Sequence, residues 1–315
     1  MCRNRRDRRK SRGQVYFITS RVRKGLPFVA RLSVEKVLLG ILARAQGLYR
    51  VKICAYVFMG NHYHMILTGQ SCHISPFMNY IQGNIAKGMQ RLIPNFYDGW
   101  FWEDRYKEQL LLTVEDVIDK MSYIYLNPVK ARLVEKASEY PGVNSYNSLS
   151  KGRHSILVKW IAIKKLRALP ESYRAREDIE IAAKLLSSAC EYEELSIEPF
   201  AWFASFSEEL TEQGVQERLK ERVSQEELMY KTPVLGVERL KRQSSRKHYV
   251  PESRGRTPYL ICSDKELRVA EIGSYQMFCS LCRQAWALIK KGLKAIWPKG
   301  AYLPSFYRGW ALSGG

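Results

Sequence analysis

Residues 55–68 limit most tightly what this chain can become. Ala55-Tyr56-Val57-Phe58-Met59 and Met65-Ile66-Leu67-Thr68 are two apolar strand segments that meet at a Gly60-Asn61 kink, with His62 and His64 just past it. Strand side chains alternate faces, so His62 and His64 point the same way while Tyr63 points the other. Two adjacent imidazoles can grip one metal ion. Taken alone, the pair also fits two polar residues that happen to alternate near a strand end, so other residues must decide.

Composition says what such a site would act on. The 315 residues are enough for two domains, and 46% hydrophobic with 12% aromatic content argues for packed cores. A formal net charge of +20 points to a polyanionic partner, most commonly nucleic acid, against the plainer alternative of a solvated basic surface. Seven scattered cysteines do not look like a disulfide framework, and no signal peptide opens the sequence; both fit a reducing cytoplasm. Cys279 and Cys282 form one Cys-x-x-Cys in a helical pattern, which reads as buried thiols rather than zinc ligands. No apolar run reaches membrane-spanning length, so no membrane partner is expected.

Along the chain, residues 1–13 form a basic arm that would order on phosphates. Residues 14–21 read as a strand, residues 33–45 as a helix with Gly47 as its stop, and residues 48–59 as the strand leading to the histidines. Ser75-Pro76 reads as a helix start, followed by a core stripe of Met78, Ile81, Ile85, Met89 and Leu92. His73 reads as a turn residue. In Trp100-Phe101-Trp102-Glu103-Asp104-Arg105-Tyr106-Lys107, Arg105 and Lys107 alternate onto one strand face where they could hold phosphates. The aromatic residues there could stack on unpaired bases or pack the core.

Thr113-Val114-Glu115-Asp116 opens a helix with a capping-box pattern. At about 100° per residue, Val114, Val117, Ile118, Met121 and Tyr125 share an apolar face, so Tyr125 belongs to the core. Tyr123 falls opposite, one turn before Asn127. Pro128 is the expected end of the helix. A tyrosine hydroxyl, with a pKa ordinarily about 10, is a poor nucleophile unless a cation lies near the phenolate or the phosphate is made more electrophilic. A divalent ion held by His62 and His64 would do the latter, with Asn127 as a neutral oxygen ligand; such mixed ligands suit Mg²⁺ or Mn²⁺.

In order, the Asn61-His62-Tyr63-His64 segment, Tyr123-Ile124-Tyr125-Leu126-Asn127-Pro128-Val129-Lys130-Ala131, Glu139-Tyr140-Pro141 and Ser145-Tyr146 form a linked set. The set resembles the HUH single-strand transposases of the IS200-like class, most closely the tyrosine transposases associated with repetitive extragenic palindromes (REP), from about Val15 to Tyr146. The resemblance implies an α+β fold, a ferredoxin-like antiparallel sheet with helices, followed by a mostly helical C-terminal region. It implies that Tyr123 is the nucleophile and that His62, His64 and Asn127 hold the metal. Single-stranded DNA near a palindromic hairpin would be cleaved and rejoined through a 5′-phosphotyrosine. No nucleoside triphosphate is needed, in keeping with the lack of a phosphate-binding Gly-x-x-x-x-Gly-Lys loop. DNA contacts are expected from Arg5, Arg6, Arg8, Arg9 and Arg12 of the arm, which in the family helps to read a guide sequence at the hairpin foot. Arg105, Lys107 and Lys130 are expected to add to them. Gly60, where many members have proline, and Tyr63, where an aliphatic residue is usual, depart from the pattern without removing a ligand.

Residues 14–147 would form the catalytic domain, residues 148–232 a helical region with acidic stretches (Glu191, Glu193, Glu194) and a small core of Trp202, Phe203 and Phe206, and residues 233–315 a basic extension. The basic run 239–256 could grip a hairpin stem or be a solvated linker. Two other functions remain open: a domesticated, noncatalytic palindrome-binding regulator of the same fold, and a metal-dependent hydrolase, for which only His73, His154 and His248 remain as further imidazoles. A homodimer, with the tyrosine acting within or across subunits, is also open.

Overall fold

The structure is a computed structural model that describes residues 13–69, 71–93, 100–162, 183–185, 187, 191–230, 233–245, 258–298, 300–301 and 311–313. Its elements in order are β1 (Val15–Arg21), α1 (Leu32–Tyr49), β2 (Lys52–Met59), β3 (His62–Thr68), α2 (Ser71–Leu92), β4 (Lys107–Leu111), α3 (Val114–Lys130), α4 (Tyr146–Lys151), β5 (Ser155–Trp160), β6 (Glu191–Ser196), α5 (Glu212–Met229), α6 (Val237–Lys241), β7 (Leu260–Ile261), α7 (Lys265–Lys290), β8 (Ala295–Trp297) and β9 (Ala311–Ser313). The main sheet has the order β2-β3-β1-β4-β7. Every pairing in it is antiparallel except β4 with β7. Its first four strands and two helices run βαββαβ, the ferredoxin-like arrangement, so the chain is an α+β protein.

The central strands are apolar on both faces because both faces are covered. Tyr16 and Ile18 of β1, with Tyr63, Met65 and Leu67 of β3, join a core that includes Leu38, Ile41 and Leu42 of α1 and Ile81 and Ile85 of α2. Val15 and Phe17, with Ile66, face the other way and meet Val117, Ile118, Met121 and Tyr125 of α3. Each fully buried large apolar side chain contributes about 1.5–3 kcal/mol. The Gly60-Asn61 turn closes the β2-β3 hairpin, with Met59 opposite His62. Glycine at 60 lets Leu26 pack closely, since a Cβ there would meet Leu26 Cδ2 at 3.1 Å and that side chain would have to shift by a few tenths of an ångström, and the Gly60 carbonyl accepts from Phe28 N at 3.0 Å.

Helix α3 is held from three sides. Thr113 and Asp116 form the expected capping box, and Asp116 Oδ1 also accepts from Ser263 N at 2.9 Å. On its outer side lies α5, whose Val215, Leu219 and Val223 enter the α3 core. Arg218 pairs with Glu115 at 2.6 Å, Arg222 with Asp119 at 2.5 Å and Lys130 with Glu226 at 2.5 Å. Partly exposed pairs of this kind are worth at most about 1 kcal/mol each, so the apolar stripe is what secures α5.

Several local expectations are corrected. Helix α1 passes through Gly47 and ends on Arg50, which takes the left-handed conformation (φ 50°) and donates its N–H to Gln46 O at 2.8 Å. Helix α2 begins at Ser71, so His73 lies in a helix and Pro76 inside it; at the second turn proline removes only one early hydrogen bond. Likewise α3 runs two residues beyond Pro128. Glu191, Glu193 and Glu194 belong to strand β6, antiparallel to β5, because Arg44 and Gln46 of α1 bind its side chains and backbone. Trp202, Phe203 and Phe206 extend the α3 core rather than making one of their own. Cys282 is buried in α7 and Cys279 is half-buried; neither is in a disulfide. Among the described residues no helix is long and apolar enough to cross a membrane.

Thr113→Ala should lower stability in denaturant unfolding by about 1 kcal/mol, while Thr113→Ser keeps the cap and most of that loss is avoided. Burial raises the phenol pKa of Tyr56, Tyr63, Tyr125 and Tyr140 above the ordinary tyrosine range. The unfolded chain loses those protons from about pH 10 while the folded chain keeps them, so the folded state then holds more protons and stability falls as pH rises beyond that point. A melting temperature that stays level through alkaline pH would contradict this.

Candidate active site

The pairing of β1 with its neighbours fixes the site. In register across the sheet, Val57, His64, Thr19 and Lys107 form one row, and Met59, His62 and Arg21 form the next. Directly opposed residues share a face, so all seven side chains point to the α3 side. The imidazoles of His62 and His64 lie with centroids 5.1 Å apart. His64 is 8% exposed, stacked on Phe17 at 5.5 Å, and its ring meets that of Tyr123 edge-on at 5.2 Å. Phe17 also meets Tyr123, at 6.0 Å. The sheet therefore presents the histidine pair to the half-buried face of α3.

Tyr123 and Tyr125 are separated as the helical period requires. Tyr125 is buried against Tyr146, and burial pushes its phenol well above the usual range, which makes it unfit to ionise. Tyr123 is half-buried beside His64. Asn127 follows one turn later on the same helical face and is buried. Thus His62, His64 and Tyr123 come together in one chain, with Asn127 next along the helix.

The residues fit a divalent ion. His62 Nδ1 lies 2.8 Å from Asn61 Oδ1, and a proton donated there makes Nε2 the nitrogen that carries the lone pair, the usual arrangement for a metal-bound histidine. Among the described residues no group of three or more His, Cys, Asp or Glu side chains is placed to hold a metal. An ion on this pair would thus draw its further ligands from neutral oxygens such as the Asn127 amide, from water or from phosphate.

Lys120 was not picked out from the sequence. Its ammonium lies 5.5 Å from the Tyr123 ring centroid and 5.8 Å from that of Phe17. The signal was its spacing, three residues before Tyr123 and hence on the same helical face. Of the residues expected at DNA, Lys107 is exposed at the start of β4, two strands from His64 in the same row. Arg105 is exposed just before β4, with its guanidinium 5.7 Å from the Tyr106 ring. Lys130 is engaged with Glu226 and lies 5.8 Å from the Tyr230 ring. Arg5, Arg6, Arg8, Arg9 and Arg12 lie outside the described residues, as does most of the basic run 239–256.

Residues 19–125 match the family described as Transposase IS200 like. Among solved structures, a REP-associated tyrosine transposase bound to a REP hairpin is 21% identical, with 48% of this chain and 87% of that chain covered and a TM-score of 0.39. A putative transposase from Deinococcus radiodurans R1 is 20% identical, with 40% of this chain and 96% of that chain covered and a TM-score of 0.27. No curated protein matches the chain. The matched segment holds both histidines and the tyrosine and stops short of Asn127. The similarity to IS200-like transposases is thus carried by residues 19–125, from β1 into α3.

Proposed function

We propose that the protein is a single-strand DNA transposase that cuts and rejoins DNA near palindromic hairpins through Tyr123. The observation that carries this reading is the contact of Tyr123 with His64, itself beside His62, on one face of the sheet. In the step, a bond forms between Tyr123 Oη and phosphorus, and the bond from phosphorus to the 3′ oxygen breaks. The phenol proton is lost to solvent and the 3′ oxygen takes one up. The product is a 5′-phosphotyrosine with a free 3′-OH, which can attack in reverse, so bond energy is conserved without a nucleoside triphosphate.

His62, His64 and Asn127 would hold Mg²⁺ or Mn²⁺, which when bound would act as a Lewis acid on a nonbridging phosphate oxygen. Asn61 fixes the His62 ring by its hydrogen bond. Phe17 stacks on His64 and limits where that ring can turn. Lys120 places a cation where negative charge grows on the phenolate and the phosphate. Lys107 and Arg105 extend the positive charge along the sheet end, where the strand's phosphates would lie. Lys130, held by Glu226, is left to bind α5 to α3.

The test is formation of an SDS-resistant protein-DNA adduct with hairpin oligonucleotides taken from the DNA flanking the gene. Wild type should form it with Mg²⁺ or Mn²⁺ and lose it on chelation. Tyr123→Phe should reduce adduct by at least about 10³-fold, whereas Tyr125→Phe leaves a linked tyrosine in place. Tight hairpin binding with no adduct under either metal would instead favour a regulator. Lys120→Met should slow adduct formation by about 10²-fold with little change in hairpin affinity; an unchanged rate would remove Lys120 from the chemistry.

A further inference from the structure

The three aromatic residues 100–102 divide in the structure. Phe101 is buried, and the Trp102 ring meets Tyr63 at 5.7 Å and Phe28 at 6.0 Å while its indole N–H donates to Gln82 O at 3.0 Å. Trp100 is 80% exposed, the most exposed large apolar side chain among the described residues. Tryptophan is seldom left so open to water.

Its surroundings name the occupant. Residues 101–103 run antiparallel beside the end of β1: Val22 bridges Trp102, Arg23 N donates to Phe101 O at 2.9 Å and Glu103 N to Arg21 O at 2.9 Å. Val22 N in turn donates to Asn61 O at 2.8 Å, next to His62. Continued by one residue, this pairing sets Trp100 opposite Lys24, at the His62 end of the sheet, two strand spacings (about 10 Å) to the side of His62 and three residues (about 10 Å) further along. Together these make about 14 Å, or about four nucleotides of a stacked strand at roughly 3.4 Å each. Arg21, Arg23, Lys24 and Arg105 surround this stretch, against the acids Glu103 and Asp104. The exposed Asp104 carboxylate accepts from Arg105 N at 2.7 Å. An open indole among cations suits a π-face attached to phosphate, which is an unpaired nucleotide.

We propose that Trp100 is a stacking platform for an unpaired base of single-stranded DNA, a few nucleotides from the phosphate attacked by Tyr123. The inference rests on the transposase reading for its substrate and adds to it a binding subsite. It holds the strand by a base face rather than by sequence, so it serves any base.

Binding is measured without metal on a labelled oligothymidylate of about 20 nucleotides, longer than the roughly 4–16 nucleotides such grooves cover, and on an abasic oligomer of equal length and charge. Wild type should prefer the oligothymidylate. Trp100→Ala should weaken binding to it by about 10-fold and leave the abasic oligomer within about twofold, and Trp100→Phe should restore most of the preference. Equal weakening on both oligomers, no weakening on either, or a wild type indifferent to bases would each overturn the proposal. The catalytic reading is judged separately: a wild type that forms the Tyr123 adduct while Trp100→Ala keeps full base preference sinks only the stacking site. A base preference lost in Trp100→Ala, with no adduct in wild type, sinks only the catalysis.

Discussion

The register between β1 and β3 governs everything else in the molecule. Thr19 lies opposite His64 and Arg21 opposite His62, so the imidazoles project to the α3 side while Tyr63 and Met65 fill the opposite core. Slipping this pairing by one residue would drive both imidazoles into the apolar layer under α1 and α2, and bring Tyr63 out. Such a burial of polar rings costs several kcal/mol. The cores on the two faces therefore select the register, and the register selects the chemistry.

Much of this was legible in the chain because the relevant patterns are local. The two apolar runs around Gly60-Asn61 could only be a hairpin, and alternation put His62 with His64. The period of α3 separated Tyr123 from Tyr125, and burial of Tyr125 agrees with it. What could not be read depended on distant partners. Nothing near Glu191 announces a strand; its neighbours are acidic, and β6 exists because β5 pairs with it and α1 supplies Arg44 and Gln46. Gly47 and Pro128 are strong local signals for a helix end, yet packing carried both helices past them. Lys120 was overlooked because a lysine on a helix is ordinarily solvent-facing; only the approach of Phe17 from the sheet makes its position significant.

Charge is also distributed in a way that the total of +20 hides. Arg44, Arg218, Arg222 and Lys130 are each committed to a carboxylate that joins one part of the fold to another. Lys120, Lys107, Arg105 and Arg23 stand instead around the end of the sheet where the histidines lie. The net charge is thus divided between cations that join parts of the fold and cations left at the end of the sheet, and only the second group could serve a polyanion.

The edge strand β7 has a consequence for how the chain is made. Leu110 of β4 finds its partner in Leu260, about 150 residues later. At roughly 5–20 residues per second, on the order of ten seconds pass during synthesis before that partner exists. For that interval the outer edge of β4 is open to any other strand. Lys107, charged and exposed at its start, sits where it can discourage a neighbouring nascent chain from pairing there, so the side chain proposed to meet DNA in the finished protein would also guard an unfinished one.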